Sequence, residues 1–351
     1  MTHIAKPKFH HPNLPINGLG LTRRNYEGVV STLCAGCGHD SISAAIIEAC
    51  FELEIPAHKI AKISGIGCSS KTTNYFLGRA HGFNSVHGRM PSVATGANLA
   101  NPDLTYLGVS GDGDTASIGL GQFSHAVRRR LNMVYIVENN GTYGLTKGQF
   151  SATNDKISKN RRGVENRFES IDLCSLAIEL GAGFVARSFS GDKLQLVPLI
   201  KAAASYRGFA FIDVISPCVT FNNHSDSTKS YDYVREHNEV LDRLDLVPKR
   251  TEISADYQPG TSVDVTLHDG SEISLHKLAP DYDPSDLGSA LLKLHQYKQQ
   301  NMVATGVLYL DSNESDMHDL LMTPEQPLNS LRGSDLCPGS KAMGALNAQF
   351  K

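Results

Sequence analysis

Two short polar segments carry the side chains with the clearest chemical potential. Gly111-Asp112-Gly113-Asp114 combines a glycine turn with acidic residues, and Asn139-Asn140 follows further along the chain. Mg²⁺ prefers near-octahedral oxygen ligands from carboxylates, amides, backbone carbonyls and phosphates, so Asp112 and Asn140 are candidate ligands. Gly111 and Gly113 allow backbone N–H groups to approach phosphate oxygens without a Cβ in the way. The two segments therefore predict a site for a divalent cation and a diphosphate.

The flanking segments predict the elements that position this site. Residues 104–110 form a predicted buried strand that ends at the glycine turn, residues 117–130 a helix with apolar residues at helical spacing, and residues 133–137 a second buried strand. Asp112 and Asn140 then both lie just past strand C-terminal ends, where ligands bind in open parallel α/β sheets. In this context the segments match a thiamine diphosphate motif, and a glycine turn without a ligand is the less favoured alternative.

Further along, the apolar pattern predicts more of the same sheet. Residues 168–186 read as a helix leading to a strand, residues 194–206 as a helix, and residues 209–215 as a buried strand. The sheet is predicted to continue to about residue 222. We therefore predict the α/β class, with a thiamine diphosphate-binding fold whose mostly parallel sheet is flanked by helices.

The character of the chain changes after residue 231. Residues 262–267 and 272–275 are strand-like, and His268-Asp269-Gly270 between them is typical of a hairpin turn. A helix over 287–297 and a strand over 303–310 follow, and the segment beyond Asp311 is predicted to extend over a partner. The predicted organisation is an N-terminal arm (1–30), a thiamine diphosphate-binding domain (31–230) and a C-terminal extension that packs on a partner subunit (231–351).

Composition excludes several classes of protein. The chain has 351 residues, 40% of them hydrophobic and 20% charged, which is ordinary for a globular protein. The net charge of −3 argues against a dedicated nucleic-acid binder. No apolar run approaches the ~20 residues of a membrane span, and residues 1–15 lack the apolar core of a signal peptide. We expect a cytoplasmic protein that binds neither nucleic acid nor membrane.

The seven cysteines divide into two groups. Their odd number argues against a disulfide framework in a cytosolic chain. Cys50 and Cys174 lie in helix-like apolar patterns and are predicted core residues, and Cys337 lies in the tail. The remaining cysteines lie in turns that contain glycine or proline: Cys34, Cys37, Cys68 and Cys218.

Three kinds of site are compatible with the turn cysteines. A CxxC such as Cys34-Ala35-Gly36-Cys37 could be a thioredoxin-like dithiol, which needs no further cysteine. Four thiolates could hold zinc, but zinc ribbons pair two CxxC turns and this chain has one. An iron–sulfur cluster is the favoured interpretation. A cluster next to a thiamine diphosphate site has a clear chemical use, because it would couple decarboxylation to electron transfer.

Several blocks occur together in an order that is highly specific. They are Cys34-Ala35-Gly36-Cys37-Gly38, Gly65-Ile66-Gly67-Cys68-Ser69-Ser70, His87-Gly88-Arg89, Gly111-Asp112-Gly113-Asp114 and residues 139–149. Through these blocks the chain resembles the β subunit of 2-oxoacid:ferredoxin oxidoreductases, most closely the two-subunit 2-oxoglutarate:ferredoxin type, also called 2-oxoglutarate synthase. The resemblance covers roughly residues 30–225 and leaves the C-terminal part without a recognisable motif.

The resemblance implies roles for individual residues. One 4Fe–4S cluster would be bound by Cys34, Cys37, Cys68 and Cys218. Mg²⁺ would be bound by Asp112, Asn140 and the backbone carbonyl of Thr142. Thiamine diphosphate would contact Ile66, Gly67, Cys68, Ser69, His87, Gly111, Gly113, Asp114, Gly144 and Leu145. Lys71 and Leu145 match positions linked to substrate recognition, and a lysine suits the distal carboxylate of a dicarboxylic oxoacid.

Some of these side chains also have simpler interpretations. His87 could cap a turn, and Lys71 could be a solvated surface lysine. Lys147 is a further candidate cation for phosphate or substrate, and residues 160–166 are a candidate mobile loop near the site.

The resemblance further implies an activity. The enzyme would oxidatively decarboxylate 2-oxoglutarate to succinyl-CoA and CO₂, pass electrons through the cluster to ferredoxin, and run in reverse as a carboxylase. A glutamate against the aminopyrimidine ring is required, and the chain has no internal repeat that could form a second thiamine domain. We therefore expect an α subunit to supply that glutamate in an α₂β₂ assembly.

Competing functions remain open at this point. Pyruvate or a branched-chain 2-oxoacid could replace 2-oxoglutarate without a change of fold. The chain could also be a non-catalytic electron-transfer or zinc-binding interaction subunit. A non-redox thiamine carboligase is disfavoured, because it would need both thiamine domains in one longer chain and no cluster ligands.

Overall fold

The computed structural model describes residues 13–146, 148–156, 164–216, 218, 253–266, 272–313, 315–337 and 339–350. The strands in these ranges are β1 (Ile60–Ser64), β2 (His81–Asn84), β3 (Thr105–Gly111), β4 (Met133–Asn139), β5 (Thr142–Tyr143), β6 (Gln149–Phe150), β7 (Phe184–Phe189), β8 (Phe209–Ile215), β9 (Ser262–Thr266), β10 (Glu272–Lys277) and β11 (Met302–Leu310). The helices are α1 (Gly38–Glu52), α2 (Cys68–Thr72), α3 (Met90–Ala100), α4 (Leu120–Arg128), α5 (Leu173–Glu179), α6 (Lys193–Ser205), α7 (Leu287–Gln299), α8 (Met317–Leu321), α9 (Gly333–Leu336) and α10 (Gly339–Ala348).

One nine-stranded sheet organises these elements, in the order β2-β1-β3-β4-β8-β7-β11-β10-β9. The strands from β2 to β7 run parallel. Buried parallel strands read as continuous apolar runs because helices cover both faces, and residues 209–214 are all buried in this way. The predicted mostly parallel α/β sheet is confirmed.

Helices pack on both faces of the sheet. On one face, Ile46 of α1 and Ile200 of α6 pack against Ile136 of β4. On the other face, Phe123 of α4 packs edge-on against Tyr135 of β4, with 5.4 Å between ring centroids. Since successive strand residues point to opposite faces, even-numbered β4 residues face α1 and odd-numbered ones face α4. Glu138 and Asn139, which end β4, therefore point to different sides of the sheet.

Local signals explain where the flanking helices begin. Asp172 caps α5 by accepting hydrogen bonds from the N–H groups of Cys174 and Ser175, and Asp192 caps α6 by accepting from the N–H of Gln195. Carboxylates at this position satisfy N–H groups that have no partner inside the helix. The predicted strand 209–215 and helix 194–206 are confirmed with boundaries shifted by one residue or less.

The predicted helix over 117–130 is wrong at its start. A π-helical turn spans Gly113–Ile118, and α4 begins only at Leu120 after Gly119. Gly119 explains the break, because a Cβ there would lie 2.7 Å from the Asp114 carbonyl oxygen and 2.9 Å from Gly88 Cα. The irregular turn therefore serves close packing against a neighbouring loop.

The sheet does not end near residue 222. β11 adds to β7 in antiparallel orientation, β10 runs parallel to β11, and β9 pairs antiparallel with β10. The β9–β10 pairing confirms the two predicted hairpin strands, whereas the turn His268-Asp269-Gly270 lies outside the described residues. That this C-terminal part packs on a partner subunit stays a prediction.

The tail is not an extended arm over its described residues. It contains the short helices α8, α9 and α10, and Met317 of α8 is buried in the main core. The predicted core positions of Cys50 and Cys174 are confirmed, since both are buried. A helix needs about 20 apolar residues to cross a bilayer, and none of the helices described above combines that length with that apolarity.

Candidate cofactor and metal site

A cleft opens at the carboxyl ends of β1, β3 and β4. Gly111 at the end of β3 lies opposite Glu138 of β4, so the two polar turns that follow these strands are neighbours. The cleft has an empty volume of about 490 Å³. It is lined by His39, Ile66, Gly67, Cys68, Ser69, His87, Gly111, Asp112, Gly113, Asp114, Glu138, Asn140, Thr142, Tyr143, Gly144, Leu145 and Thr146.

This lining contains every residue that the sequence predicts to contact thiamine diphosphate or Mg²⁺. Their individual roles stay predictions. His39, Glu138, Tyr143 and Thr146 also line the cleft, and sequence reasoning missed all of them. Glu138 could have been noticed, because a carboxylate at the end of a buried apolar strand is unusual.

Asp112 lies at the base of the cleft and is 1% exposed. Its Oδ2 accepts hydrogen bonds from the hydroxyls of Ser151 and Thr153, the latter at 2.7 Å. Asn140 Oδ1 accepts a hydrogen bond from the Thr142 N–H at 3.0 Å. Burial raises the pKa of Asp112, and the two hydroxyls oppose that rise. A divalent cation would offset the cost of burying this carboxylate, so the oxygen donors present fit Mg²⁺.

Asp114 belongs to the same turn, but its carboxylate faces the neighbouring loops. It accepts hydrogen bonds from the Gly88 N–H at 2.8 Å, the Ser110 hydroxyl at 2.9 Å and the Ile66 N–H at 3.3 Å. A Cβ at Gly65 would overlap the carboxylate. Asp114 thus joins the loops after β1 and β2 to the glycine turn.

The wall around the glycine turn fits a diphosphate. The Ser69 hydroxyl is buried and has no hydrogen-bond partner within the described ranges, and a Cβ at Gly111 would lie 3.2 Å from it. At Gly113, a Cβ would lie 2.5 Å from the ring of Tyr143, whose hydroxyl donates to the Gly113 carbonyl at 3.1 Å. The two glycines let Tyr143 and Ser69 pack directly against the turn, and the unpaired Ser69 hydroxyl is a donor that a phosphate oxygen could accept from.

The cysteines of the predicted cluster gather beside the cleft. Burial raises the pKa of Cys37, and the Cys218 thiol adds to that rise. Burial also raises the pKa of Cys68, where Cys218 and Cys34 add to the rise and Lys71 opposes it. Such interactions weaken with distance, so Cys218 lies near both Cys37 and Cys68, and Cys34 lies near Cys68. The N–H of Cys37 also donates to the carbonyl of Cys34 at 3.1 Å, which keeps these two residues in one turn.

These thiols are not arranged around one ion. Among the described residues, no group of three or more His, Cys, Asp or Glu side chains is placed to hold a single metal ion. A 4Fe–4S cluster attaches each thiolate to a different iron, so its ligands surround a larger volume. A cluster therefore requires that the four thiols lie near one another, and it does not require that they all reach one metal ion. The thiols concerned are those of Cys34, Cys37, Cys68 and Cys218.

A buried acid and a buried histidine line the cleft together with Cys68. Among the described residues, neither carboxylate oxygen of Glu138 has a hydrogen-bond partner of good geometry; the Thr72 hydroxyl donates to the Ser69 carbonyl at 2.6 Å, but it lies close enough to Glu138 to oppose the rise of its pKa. Glu138 Oε2 lies 3.7 Å from Nδ1 of His39, which is 2.6 Å from the Ser216 hydroxyl. Burial raises the pKa of Glu138 well above its usual value and lowers that of His39 to about 4. Burial therefore favours the neutral form of both side chains.

The predicted substrate-recognition residues lie toward the opening. Lys71 follows Cys68 in α2, outside the cleft lining, and is close enough to Cys68 to lower its pKa. Leu145 is 53% exposed at the cleft, and His87 is exposed beside Gly88. Lys147 and most of the candidate loop over 160–166 lie outside the described residues.

Comparison with known proteins agrees with this geometry. Residues 65–214 match the family described as thiamine pyrophosphate enzyme, C-terminal TPP binding domain. A 2-oxoacid:ferredoxin oxidoreductase subunit beta from a Sulfolobus species is 36% identical over 256 residues, which cover 71% of this chain and 83% of that relative. The chain belongs to this family of β subunits. It is thus a subunit of an oxidoreductase, and the name of the family implies a partner subunit.

Further members of the β-subunit family match over shorter ranges. The 2-oxoglutarate oxidoreductase subunit KorB of Mycobacterium tuberculosis is 40% identical over 196 residues, or 55% of this chain and 51% of that relative. A subunit beta from Saccharolobus solfataricus is 41% identical over 54% of this chain and 63% of its own length. Among solved structures, the 2-oxoglutarate:ferredoxin oxidoreductase of Magnetococcus marinus has a TM-score of 0.71 and 29% identity, covering 94% of this chain and 96% of its own.

Proposed function

We propose that this chain is the thiamine diphosphate-binding β subunit of an enzyme that oxidises 2-oxoglutarate with coenzyme A to succinyl-CoA and CO₂ and reduces ferredoxin. The observation that carries the proposal is the position of Cys68, which lines the cleft and neighbours Cys34 and Cys218. A decarboxylation site and a one-electron acceptor would share this wall. Electrons would then leave the cleft without crossing a second domain.

The choice of 2-oxoglutarate has two supports. The Magnetococcus marinus structure carries 2-oxoglutarate, coenzyme A and succinyl-CoA. In this chain, Lys71 lies near Cys68, which itself lines the cleft, and its ammonium group could pair with a distal carboxylate. Pyruvate has no distal carboxylate and would leave that charge unpaired, which favours the dicarboxylic substrate.

When bound, thiamine diphosphate supplies the nucleophilic carbon and the electron sink for decarboxylation. Asp112, Asn140 and the carbonyl of Thr142 would hold Mg²⁺ against the diphosphate. Ser69 would donate its unpaired hydroxyl proton to a phosphate oxygen. Asp114 keeps the surrounding loops in place through its three hydrogen bonds. These contacts orient the cofactor, which is the main task of the protein in such a site.

The cluster side of the cleft has a separate environment. Cys34, Cys37, Cys68 and Cys218 would bind one 4Fe–4S cluster, which supplies one-electron acceptance. Glu138 and His39 line the cleft with Cys68, and burial shifts the pKa of each side chain toward its neutral form. Charge near a cluster shifts its reduction potential, so the protonation of these two side chains would influence the potential of a cluster bound here.

The α subunit is expected to complete the site. It would supply the glutamate that activates thiamine diphosphate, in an α₂β₂ assembly, so the β chain alone would bind cofactors without turning over. We also propose a cytoplasmic location, because a reducing compartment keeps cysteines as free thiols rather than disulfides, so the four candidate cluster ligands stay available to iron.

The test is an anaerobic visible spectrum and EPR of the chain copurified with its partner, before and after addition of 2-oxoglutarate and coenzyme A. Bleaching of the cluster band with a reduced-cluster EPR signal is the expected result. Pyruvate with coenzyme A is the matched substrate control. If the cluster bleaches with pyruvate and coenzyme A but not with 2-oxoglutarate and coenzyme A, the reaction type is supported and 2-oxoglutarate is rejected as the substrate. A preparation without iron would reject the redox function.

A further inference from the structure

A series of buried and partly buried polar side chains leads from the candidate metal ligand Asp112 into the protein. The Thr153 hydroxyl lies 2.7 Å from Asp112 Oδ2 and 3.1 Å from Asn139 Oδ1. The Asn139 amide donates to Asp213 Oδ1 at 3.0 Å. The other oxygen of Asp213 accepts from Arg187 Nε at 2.9 Å. Each contact joins a different strand or turn, so the series crosses the sheet from the site to β7.

The far end of this series is anchored by a helix cap. Arg187 donates through a terminal guanidinium nitrogen to Asp172 Oδ1 at 2.7 Å, and the same carboxylate caps α5. Arg187 and Asp213 are register partners on the parallel strands β7 and β8, and they are 7% and 1% exposed. The sheet therefore holds the ion pair in place independently of any ligand.

Asn139 links this ion pair to the metal site. A carboxylate can only accept, so the NH₂ of Asn139 must face Asp213 and its amide oxygen must face the opposite way. That oxygen accepts the Gly141 N–H at 3.3 Å and lies against the Thr153 hydroxyl. Asp213 thereby sets the orientation of the amide, and the amide holds the turn that carries Asn140.

We propose that Asp213 and Arg187 are positioning residues for the metal site. The inference rests on the proposed function, because it takes Asp112 and Asn140 as Mg²⁺ ligands. Without the Asp213 carboxylate, the Asn139 amide is free to rotate, and both the 139–141 turn and Thr153 lose a fixed contact. Loss of such an outer partner typically lowers metal affinity about 10–100-fold.

The test uses the Asp213→Asn variant of the chain with its partner subunit, stripped of thiamine diphosphate and metal. Calorimetry measures thiamine diphosphate binding while MgCl₂ is titrated, so the readout is independent of turnover. We expect the half-saturating Mg²⁺ concentration to rise about 10–100-fold. Asp172→Asn is the matched control, because it removes the other carboxylate from Arg187 at the end remote from the metal. It should lower the melting temperature and leave the Mg²⁺ requirement unchanged.

Thr153→Val keeps the inference testable if Asp213→Asn fails to fold. Valine has nearly the same shape and removes the hydroxyl that donates to Asp112 and contacts the Asn139 amide oxygen, so the Mg²⁺ requirement should again rise. The positioning role would be overturned by either of two results. The half-saturating Mg²⁺ concentration could be equal for wild type and Thr153→Val, or it could shift equally in Asp213→Asn and Asp172→Asn. Failure of the wild-type complex to bind thiamine diphosphate at any Mg²⁺ concentration would instead reject the proposed function.

Discussion

Replacement of Asp114 by asparagine tests whether one carboxylate holds the cleft together. Asp114 is 4% exposed and accepts from the N–H groups of Gly88 and Ile66 and the hydroxyl of Ser110. Oδ1 serves Gly88, whereas Oδ2 serves the other two donors. An asparagine has one acceptor oxygen, so its NH₂ must face at least one of the two backbone N–H groups. In either rotamer, a buried donor loses its partner.

The expected loss follows from these contacts. A hydrogen bond to a charged group contributes about 1.5–3 kcal/mol, and an unsatisfied buried donor costs about 1–3 kcal/mol. The Ser110 hydroxyl can rotate and so keep a partner. We therefore count about one lost N–H contact and one weakened contact, which together should lower the unfolding free energy by about 2–4 kcal/mol. With an unfolding entropy of about 2.1 cal/mol/K per residue and 351 residues, this corresponds to a melting temperature lower by about 3–5 °C.

Two measurements test this prediction. Circular dichroism follows thermal unfolding and gives the melting temperature, and calorimetry gives the affinity for thiamine diphosphate with Mg²⁺. Binding should weaken as well, because the loops held by Asp114 contain Ile66 and border His87, which line the cleft. Asp103→Asn is the control, since it makes the same change at an exposed position. An Asp114→Asn chain that melts with the wild type and binds the cofactor equally well would refute the reasoning.

Three further predictions follow from the structure. Burial lowers the pKa of Lys62 from 10.5 to about 8; at this side chain the unfolded chain therefore binds more protons between these values, and the contribution of Lys62 to the unfolding free energy should rise with pH across this window. Because burial raises the pKa of thiols such as Cys37 and Cys50 and so acts with the opposite sign, the quantity to measure is the difference between wild type and Lys62→Met in urea unfolding from about pH 7.5 to about pH 10, which should move in favour of wild type as the pH rises. Cys34→Ser or Cys68→Ser should remove iron measured by elemental analysis of the anaerobic complex, whereas Cys337→Ser, at an exposed thiol, should retain it. Lys71→Ala should raise KM for 2-oxoglutarate about tenfold or more, with kcat changing less, and steady-state kinetics would contradict the substrate role if only kcat fell.

Much of the site could be predicted because it is built from turns that directly follow strands. The predicted strands over 104–110 and 133–137 correspond to β3 and β4, and the glycine turn and Asn140 follow them as expected. A continuous apolar run indicates a strand that is buried on both faces, and a glycine can indicate a position where a Cβ does not fit. Gly113 shows the second signal, since a Cβ there would meet Tyr143. Such signals are local, so a single chain is sufficient to detect them.

What the sequence by itself determined is therefore the class of fold, the edge of the sheet at which the candidate cofactor site lies and most of the residues that line it, although not His39, Glu138, Tyr143 or Thr146. Only the tertiary structure decided which side chains meet across the sheet. His39 lies beside Ser216 although 177 residues separate them, and Thr153 reaches Asp112 across 41 residues. The addition of β9, β10 and β11 to the sheet likewise follows from the pairing of β11 with β7. Strand order and register depend on packing of the whole chain, and no local pattern of residues specifies them.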